Sequence, residues 1–258
     1  MTDGAKDGST DTVKTAGILI IGDEVLSGRT QDTNISMIAN ELGALGIQVI
    51  EARVVPDVQD RIVEAVNALR ASCTYVFTTG GIGPTHDDIT ADAIAAAFGV
   101  PIGERADAVA LLEAHYPPGE FTAARRRMTR IPNGAELIDN PVSKAPGFQL
   151  GNVFVMAGVP AIAKAMMVSV VPRLVGGPKM ESHTVGAHLA EGHLAEPLGA
   201  IQAQFPDVRI GSYPFYRNRQ FGVSVVARAT DPDMLEAAVS AIRQAIRDLG
   251  QEPIEDMG

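Results

Sequence analysis

Apolar positions along the chain fall into two recurring patterns, one continuous and one spaced three or four residues apart. Ala16-Gly17-Ile18-Leu19-Ile20-Ile21 is an unbroken apolar run, the pattern of a strand buried on both faces. Ile35, Ile38, Leu42 and Leu45 then recur at helical spacing, and Gly46 stops that helix. Residues 49–55 predict a second strand, and Ile62, Val63, Val66 and Leu69 a second amphipathic helix. Tyr75-Val76-Phe77-Thr78-Thr79 predicts a third strand, broken by Gly80-Gly81. An alanine-rich helix over residues 90–98 follows and ends at Gly99. This alternation predicts an α/β fold, a doubly wound and mostly parallel sheet with helices on both faces.

Residues 107–130 predict two further helices, interrupted by Pro117-Pro118-Gly119. Short strands around residues 148–150 and 153–156 and a helix over 161–174 close the unit. The stretch 153–172 is about long enough to span a bilayer, but Pro160 and Lys164 interrupt it. It reads as a buried strand followed by a helix. Gly176-Gly177-Pro178 combines flexibility with a helix stop and marks a boundary. Beyond it the pattern is strand, helix (191–205), strand (209–213), strand (221–229) and helix (232–249), a small α+β domain. The expected organisation is a disordered tail over 1–14, an α/β domain over 15–177 and the small domain over 178–258. The polar start lacks the apolar stretch of an export signal, so a cytoplasmic location is expected.

Composition narrows the function classes. With 46% hydrophobic residues in 258, the chain has material for a core, which excludes disorder throughout. Cys73 is the single cysteine, so no internal disulfide staples the fold. A net charge of −10 lacks the basic field that a phosphate-backbone binder needs, and no nucleic acid is expected as a partner. His183, His188 and His193 recur every five residues, a spacing that does not put three metal ligands on one helical face.

The densest chemical signal is Thr78-Thr79-Gly80-Gly81-Ile82-Gly83-Pro84-Thr85-His86-Asp87-Asp88-Ile89-Thr90, between a buried strand and a helix. Its glycines allow a sharp turn and close approach of backbone to a ligand. The helix start that follows suits a phosphate, although Asp87 and Asp88 repel an anion there. One resolution is that one carboxylate caps the helix while the other holds a divalent cation bridging to the phosphate. A glycine turn with an Asp cap and no ligand gives the same string. Gly22-Asp23-Glu24 and Asp57 fall just past the first and second strands, on the sheet edge where open α/β sheets bind ligands. In Asn140-Pro141-Val142-Ser143-Lys144-Ala145-Pro146-Gly147, Lys144 is placed to neutralise phosphate and Pro146-Gly147 makes a rigid turn. Of Arg125-Arg126-Arg127, one arginine is in a position to reach a second phosphate.

These strings, with Gly158-Val159-Pro160 after them, resemble the molybdopterin-binding domain family. That family includes the MoaB/Mog proteins and the N-terminal part of the competence/damage-inducible protein A (CinA) group. The resemblance covers residues 15–174, and the segment around Gly211-Ser212-Tyr213-Pro214 is similar to the small KH-like domain of the CinA group. It implies binding of molybdopterin or an adenine nucleotide by Gly22, Asp23, Glu24, Thr79, Gly80, Gly81, Gly83, Thr85, Thr90, Lys144, Pro146 and Gly147. It implies catalytic roles for Asp57 and Asp88 and a divalent metal, Mg²⁺, Mn²⁺ or Co²⁺, on Asp23, Asp87 and Asp88. The Mog-like branch implies adenylylation of molybdopterin, and the CinA-like branch metal-dependent hydrolysis of ADP-ribose. A non-catalytic nucleotide or pterin sensor is the third reading. A homo-oligomer, dimer or trimer, is expected, with no membrane partner. No segment resembles the CinA deamidase domain, so no nicotinamide-nucleotide deamidase activity is expected. Two departures stand out: Ser143-Lys144 where the family reads Gly-Thr, and Ile162 where it reads Glu.

Overall fold

The computed structural model describes residues 13–217 and 219–255. Residues 1–12 of the expected tail lie outside them, and Lys14, its last residue, already belongs to the first strand. In chain order the first unit carries β1 (Lys14–Ile21), α1 (Asp23–Leu26), α2 (Asn34–Ala44), β2 (Ile47–Val55), α3 (Gln59–Ser72), β3 (Tyr75–Thr79) and α4 (Thr90–Phe98). It continues with β4 (Ile102–Glu104), α5 (Ala106–His115), α6 (Ala123–Arg126), β5 (Arg130–Pro132), β6 (Glu136–Ile138), β7 (Gly147–Leu150), β8 (Val153–Met156) and α7 (Pro160–Val170).

The expected doubly wound sheet is present. Its order is β2-β1-β3-β8-β7-β6. β1, β2, β3 and β8 run parallel, while β7 is antiparallel to β8 and to β6. Strand side chains alternate between the two faces. Leu19, Ile21 and Val76 therefore pack with Ile62, Val66, Leu69 and Ile94 of α3 and α4. Ile18, Ile20, Phe77 and Phe154 meet Ile38 and Leu42 of α2 and Met166 and Val170 of α7 on the other face. Phe77 and Phe154 stack with centroids 5.2 Å apart. The ends of β1, β2, β3 and β8 share one edge. Because β6 and β7 run antiparallel, their connecting turn also emerges there.

Residues 107–130 differ from the expected helix pair. Pro117-Pro118-Gly119 ends α5, and only the single turn α6 follows, capped by Thr122, whose hydroxyl accepts from Arg125 N at 3.4 Å. A 3₁₀ turn over Arg127–Thr129 then leads into β5. β4, β5 and β6 have three residues each, too short for a pattern to reveal.

The described chain divides into two compact units, the first through Gly177 and the second from Pro178. The second has β9 (Glu181–Ala187), α8 (Glu191–Gln204), β10 (Arg209–Arg217), β11 (Gln220–Ala229) and α9 (Pro232–Asp248). Its antiparallel sheet has the order β10-β11-β9 and a core of its own around Val185, Val225, Val239 and Ile242. β10 runs past residue 213 because an edge strand tolerates Pro214. His183 pairs with Glu255 at 3.3 Å and stands 3.1 Å from Arg243. Among the described residues, no helix is long and apolar enough to cross a membrane.

Candidate functional site

The glycine loop is held from below by buried threonines. Gly80 and Gly81 take positive φ values of 105° and 64°, which glycine adopts without penalty. Buried Thr90, the first residue of α4, donates its hydroxyl to Gly80 O at 2.9 Å and its amide to Gly81 O at 3.0 Å. With the loop carbonyls engaged in this way, the amides of Gly81, Ile82 and Gly83 have no acceptor among the described residues. At the start of α2, buried Asn34 donates to Gly158 O at 2.8 Å and to Thr79 Oγ1 at 3.3 Å. Gly158 in turn packs so closely that a Cβ there would stand 3.1 Å from Gly80 Cα. Thr79 and Thr90 thus serve as struts of the loop, a correction to their expected place in direct ligand contact. Only their burial in the folded chain shows it, and the same holds for Asn34, which no sequence signal marked.

Asp88 does not cap α4. Ile89 occupies the cap position without a side-chain bond, and Asp88 turns back to Thr85, accepting from its amide at 2.8 Å and its hydroxyl at 2.5 Å. This small turn orders the exposed end of the loop and leaves Asp88 Oδ1 without a partner among the described residues. The arginine run is divided. Arg125 faces the cleft described below, Arg126 pairs with Glu104 at 2.7 Å, and Arg127 donates to Asp88 O at 3.4 Å.

A cluster of carboxylates lies beside the loop. Gly22 N donates to Val55 O at 3.1 Å, which joins the ends of β1 and β2, and Asp57 accepts from Asp23 N at 3.0 Å. Gly22 leaves room for the Glu24 carboxylate, since a Cβ there would meet Glu24 Oε1 at 2.5 Å. Burial pushes the Asp57 carboxyl above the ordinary aspartate range; the Asp23 amide opposes that shift, while the charges of Asp23, Glu24 and Asp87 add to it. A raised value means that the folded chain holds this proton more tightly than the unfolded one. Stability is therefore full below the ordinary aspartate range and declines as pH rises through the raised value. Asp57→Asn, which keeps the bond to Asp23 N, is expected to raise Tm by about 2 °C at pH 7. The gain should fade below about pH 4, where both states are protonated. Melting curves of both proteins across pH check this; a gain that grows on acidification would refute it.

The remaining predicted site residues separate. Asn140, buried, shapes the β6–β7 turn by accepting from Val142 N and Ser143 N at 3.1 Å and donating to Ala145 O at 2.9 Å. Lys144, at φ 60°, lines a different groove with Leu111 and His115, so it does not reach the glycine loop in this structure. Pro146 borders a cavity of about 20 Å³ with Gly81, Gly83 and Arg127. Gly147 is required by packing, because a Cβ would collide with Val155 O.

Together these parts frame one open cleft of about 660 Å³. Its floor is Gly80, Gly81, Ile82 and Gly83 with Asp88 and Glu24. One wall is Tyr116, Arg125 and Met128; the others are Asn140, Ser143 and Ala145, and Gly158, Val159, Pro160 and Ile162. Tyr116 was not legible as a site residue, because only the fold brings it into the same cleft as the loop. The metal set Asp23, Asp87 and Asp88 does not converge. Among the described residues no three His, Cys, Asp or Glu side chains make a place for a metal ion. Asp87 is exposed and stands beside His86 at 3.9 Å, while Asp23 neighbours Asp57.

Comparison with known proteins gives a consistent picture. Residues 17–176 match a family model described as "Probable molybdopterin binding domain", and residues 179–252 match the middle domain of FAD synthase. A protein of Archaeoglobus fulgidus is 31% identical over 231 residues, covering 90% of this chain and 97% of that protein. A CinA-like protein of Synechococcus is 33% identical across 91% of this chain, which spans 59% of that relative's length. The crystal structure of a CinA protein of unknown function from Thermoplasma acidophilum is 33% identical. It superposes with a TM-score of 0.60, covering 62% of this chain and 98% of that one.

Proposed function

We propose that this chain, which belongs to the molybdopterin-binding domain family, holds a phosphate-bearing nucleotide or pterin in its cleft and cleaves a pyrophosphate of the ADP-ribose type. The observation that supports this reading is the run of three free amides at Gly81, Ile82 and Gly83 on the cleft floor. Successive N–H groups in a turn of this kind form an anion-binding concavity, and they stabilise charge that grows on a phosphoryl oxygen. The cleft volume suits a ligand much larger than phosphate alone.

In the hydrolytic reading, water attacks one phosphorus, and Asp88 Oδ1, free and on the cleft floor, takes its proton. The P–O–P bond breaks, and ADP-ribose gives AMP and ribose 5-phosphate. Asp57 holds its proton more tightly than usual and lies against the Asp23 amide, while Glu24 is the other carboxylate that lines the cleft. The family match supports molybdopterin as an alternative ligand on the same floor, the step then being its adenylylation, and Ile162 gives the cleft an apolar wall.

Purified protein incubated with ADP-ribose or FAD, with EDTA and separately with Mg²⁺, Mn²⁺ or Co²⁺, tests this reading through AMP release on chromatography. AMP and ribose 5-phosphate in equal amounts are expected from ADP-ribose. Calorimetric binding without turnover in any arm would make the protein a sensor. Failure to bind any nucleotide or pterin would overturn the reading as a whole.

A further inference from the structure

The cleft wall that carries Tyr116 and Arg125 has an unusual construction. Pro117-Pro118-Gly119, with Gly119 at φ 84° and Glu120 N bonded to Pro117 O at 3.0 Å, folds the chain back on the end of α5. The fold-back sets the Phe121 ring nearly parallel to Tyr116, at 12° and 6.2 Å. It also brings the Arg125 guanidinium over the Tyr116 ring, 4.1 Å from its centroid. One nitrogen of Arg125 is anchored to Glu120 O at 2.6 Å. A long side chain is thereby held flat before any ligand arrives, and both Tyr116 and Arg125 line the cleft.

A guanidinium recognises phosphate through the N–H groups in its plane, which leaves its face available for stacking. A guanidinium stacked on a ring offers a planar, weakly hydrated surface, which suits the face of a heterocycle. We propose that the Tyr116–Arg125 pair is the specificity element of the cleft, stacking the planar base of the ligand whose phosphate lies on the Gly81, Ile82 and Gly83 amides. This inference rests on the phosphate reading above and deepens it. It makes the ligand a nucleoside phosphate or pterin phosphate and excludes sugar phosphates and inorganic pyrophosphate as good ligands.

AMP and ribose 5-phosphate separate the two halves of the site, since they differ only in the base. Wild type is expected to bind AMP about 10- to 100-fold more tightly than ribose 5-phosphate in calorimetry, the range that stacking of one base supports. Arg125→Lys keeps the charge and loses the plane, and Tyr116→Leu removes the seat. Each is expected to close most of that gap by weakening AMP, leaving ribose 5-phosphate within about twofold, a change too small for a lost stacking contact. Melting temperatures of both variants establish that they are folded. A gap that persists in both folded variants overturns the inference, as does a loss of ribose 5-phosphate affinity equal to that of AMP. Wild type that binds the two equally overturns it while sparing the phosphate reading. Wild type that binds neither overturns both.

Discussion

A Gly80→Ala protein is expected to lose nucleotide binding by about a hundredfold or more, since two hydrogen bonds to a charged group contribute about 1.5 kcal/mol or more each. Gly80 sits at φ 105°, outside the range that a side chain tolerates, and its Cβ would collide with the main-chain carbonyl of Ile21. That carbonyl belongs to the end of a buried central strand and has nowhere to go. The loop must move instead, breaking the Thr90–Gly80 bond and scattering the amides. A strained position with a backbone collision costs about 3 kcal/mol, and Tm is expected to fall by about 10 °C. Gly83→Ala separates binding from stability. Its Cβ would meet only the Asp88 carboxylate, at 2.6 Å, so Tm is expected to hold while affinity drops. Calorimetry and thermal melts on both variants check the pair. Full affinity in a folded Gly80→Ala protein would place the ligand elsewhere.

Asp88→Asn is expected to lower AMP release from ADP-ribose by about 10²- to 10⁴-fold, the contribution of a positioned general base. Both of its bonds from Thr85 end on one oxygen, Oδ2, and an asparagine oxygen accepts them equally well. The loop therefore keeps its shape, and Tm is expected to change by no more than about 2 °C. What is lost is the proton acceptor beside the phosphate. A pure sensor behaves oppositely: removing a negative charge from the cleft floor leaves affinity for an anion equal or higher. Rates that survive the change would take Asp88 out of the chemistry. Tighter binding, with no turnover in wild type, would establish the sensor.

Much of the fold was legible because buried parallel strands announce themselves. Residues 75–79 and 90–98 emerge with the predicted bounds, since an apolar run ends at glycines in one case and Gly99, at φ 65°, terminates a helix in the other. The three-residue strands carry no period, and the stretch after Pro117 obeys ion pairs and ring contacts that no local pattern encodes. The site divides along the same line. The glycine loop was readable because its backbone conformation demands glycine locally. The struts Asn34 and Thr79, 45 residues apart, and the Tyr116–Arg125 wall depend on distant segments meeting. Asp88 misled because an aspartate ahead of a helix looks like a cap, and only its three-dimensional partner, Thr85, shows otherwise.

The antiparallel β6–β7 hairpin gives the cleft an independently adjustable side. Its turn reaches the cleft without a crossover helix, and residues 141–144 hang from one buried anchor, Asn140. Insertions there would alter the reach of the wall without disturbing the sheet or the amide floor. Doubling a loop's length costs only about 0.6 kcal/mol in closure entropy. On the proposed reading, substrate breadth is thus decoupled from phosphate capture. Lengthening this turn is the natural way to retune which molecules the cleft admits while the anion seat stays unchanged.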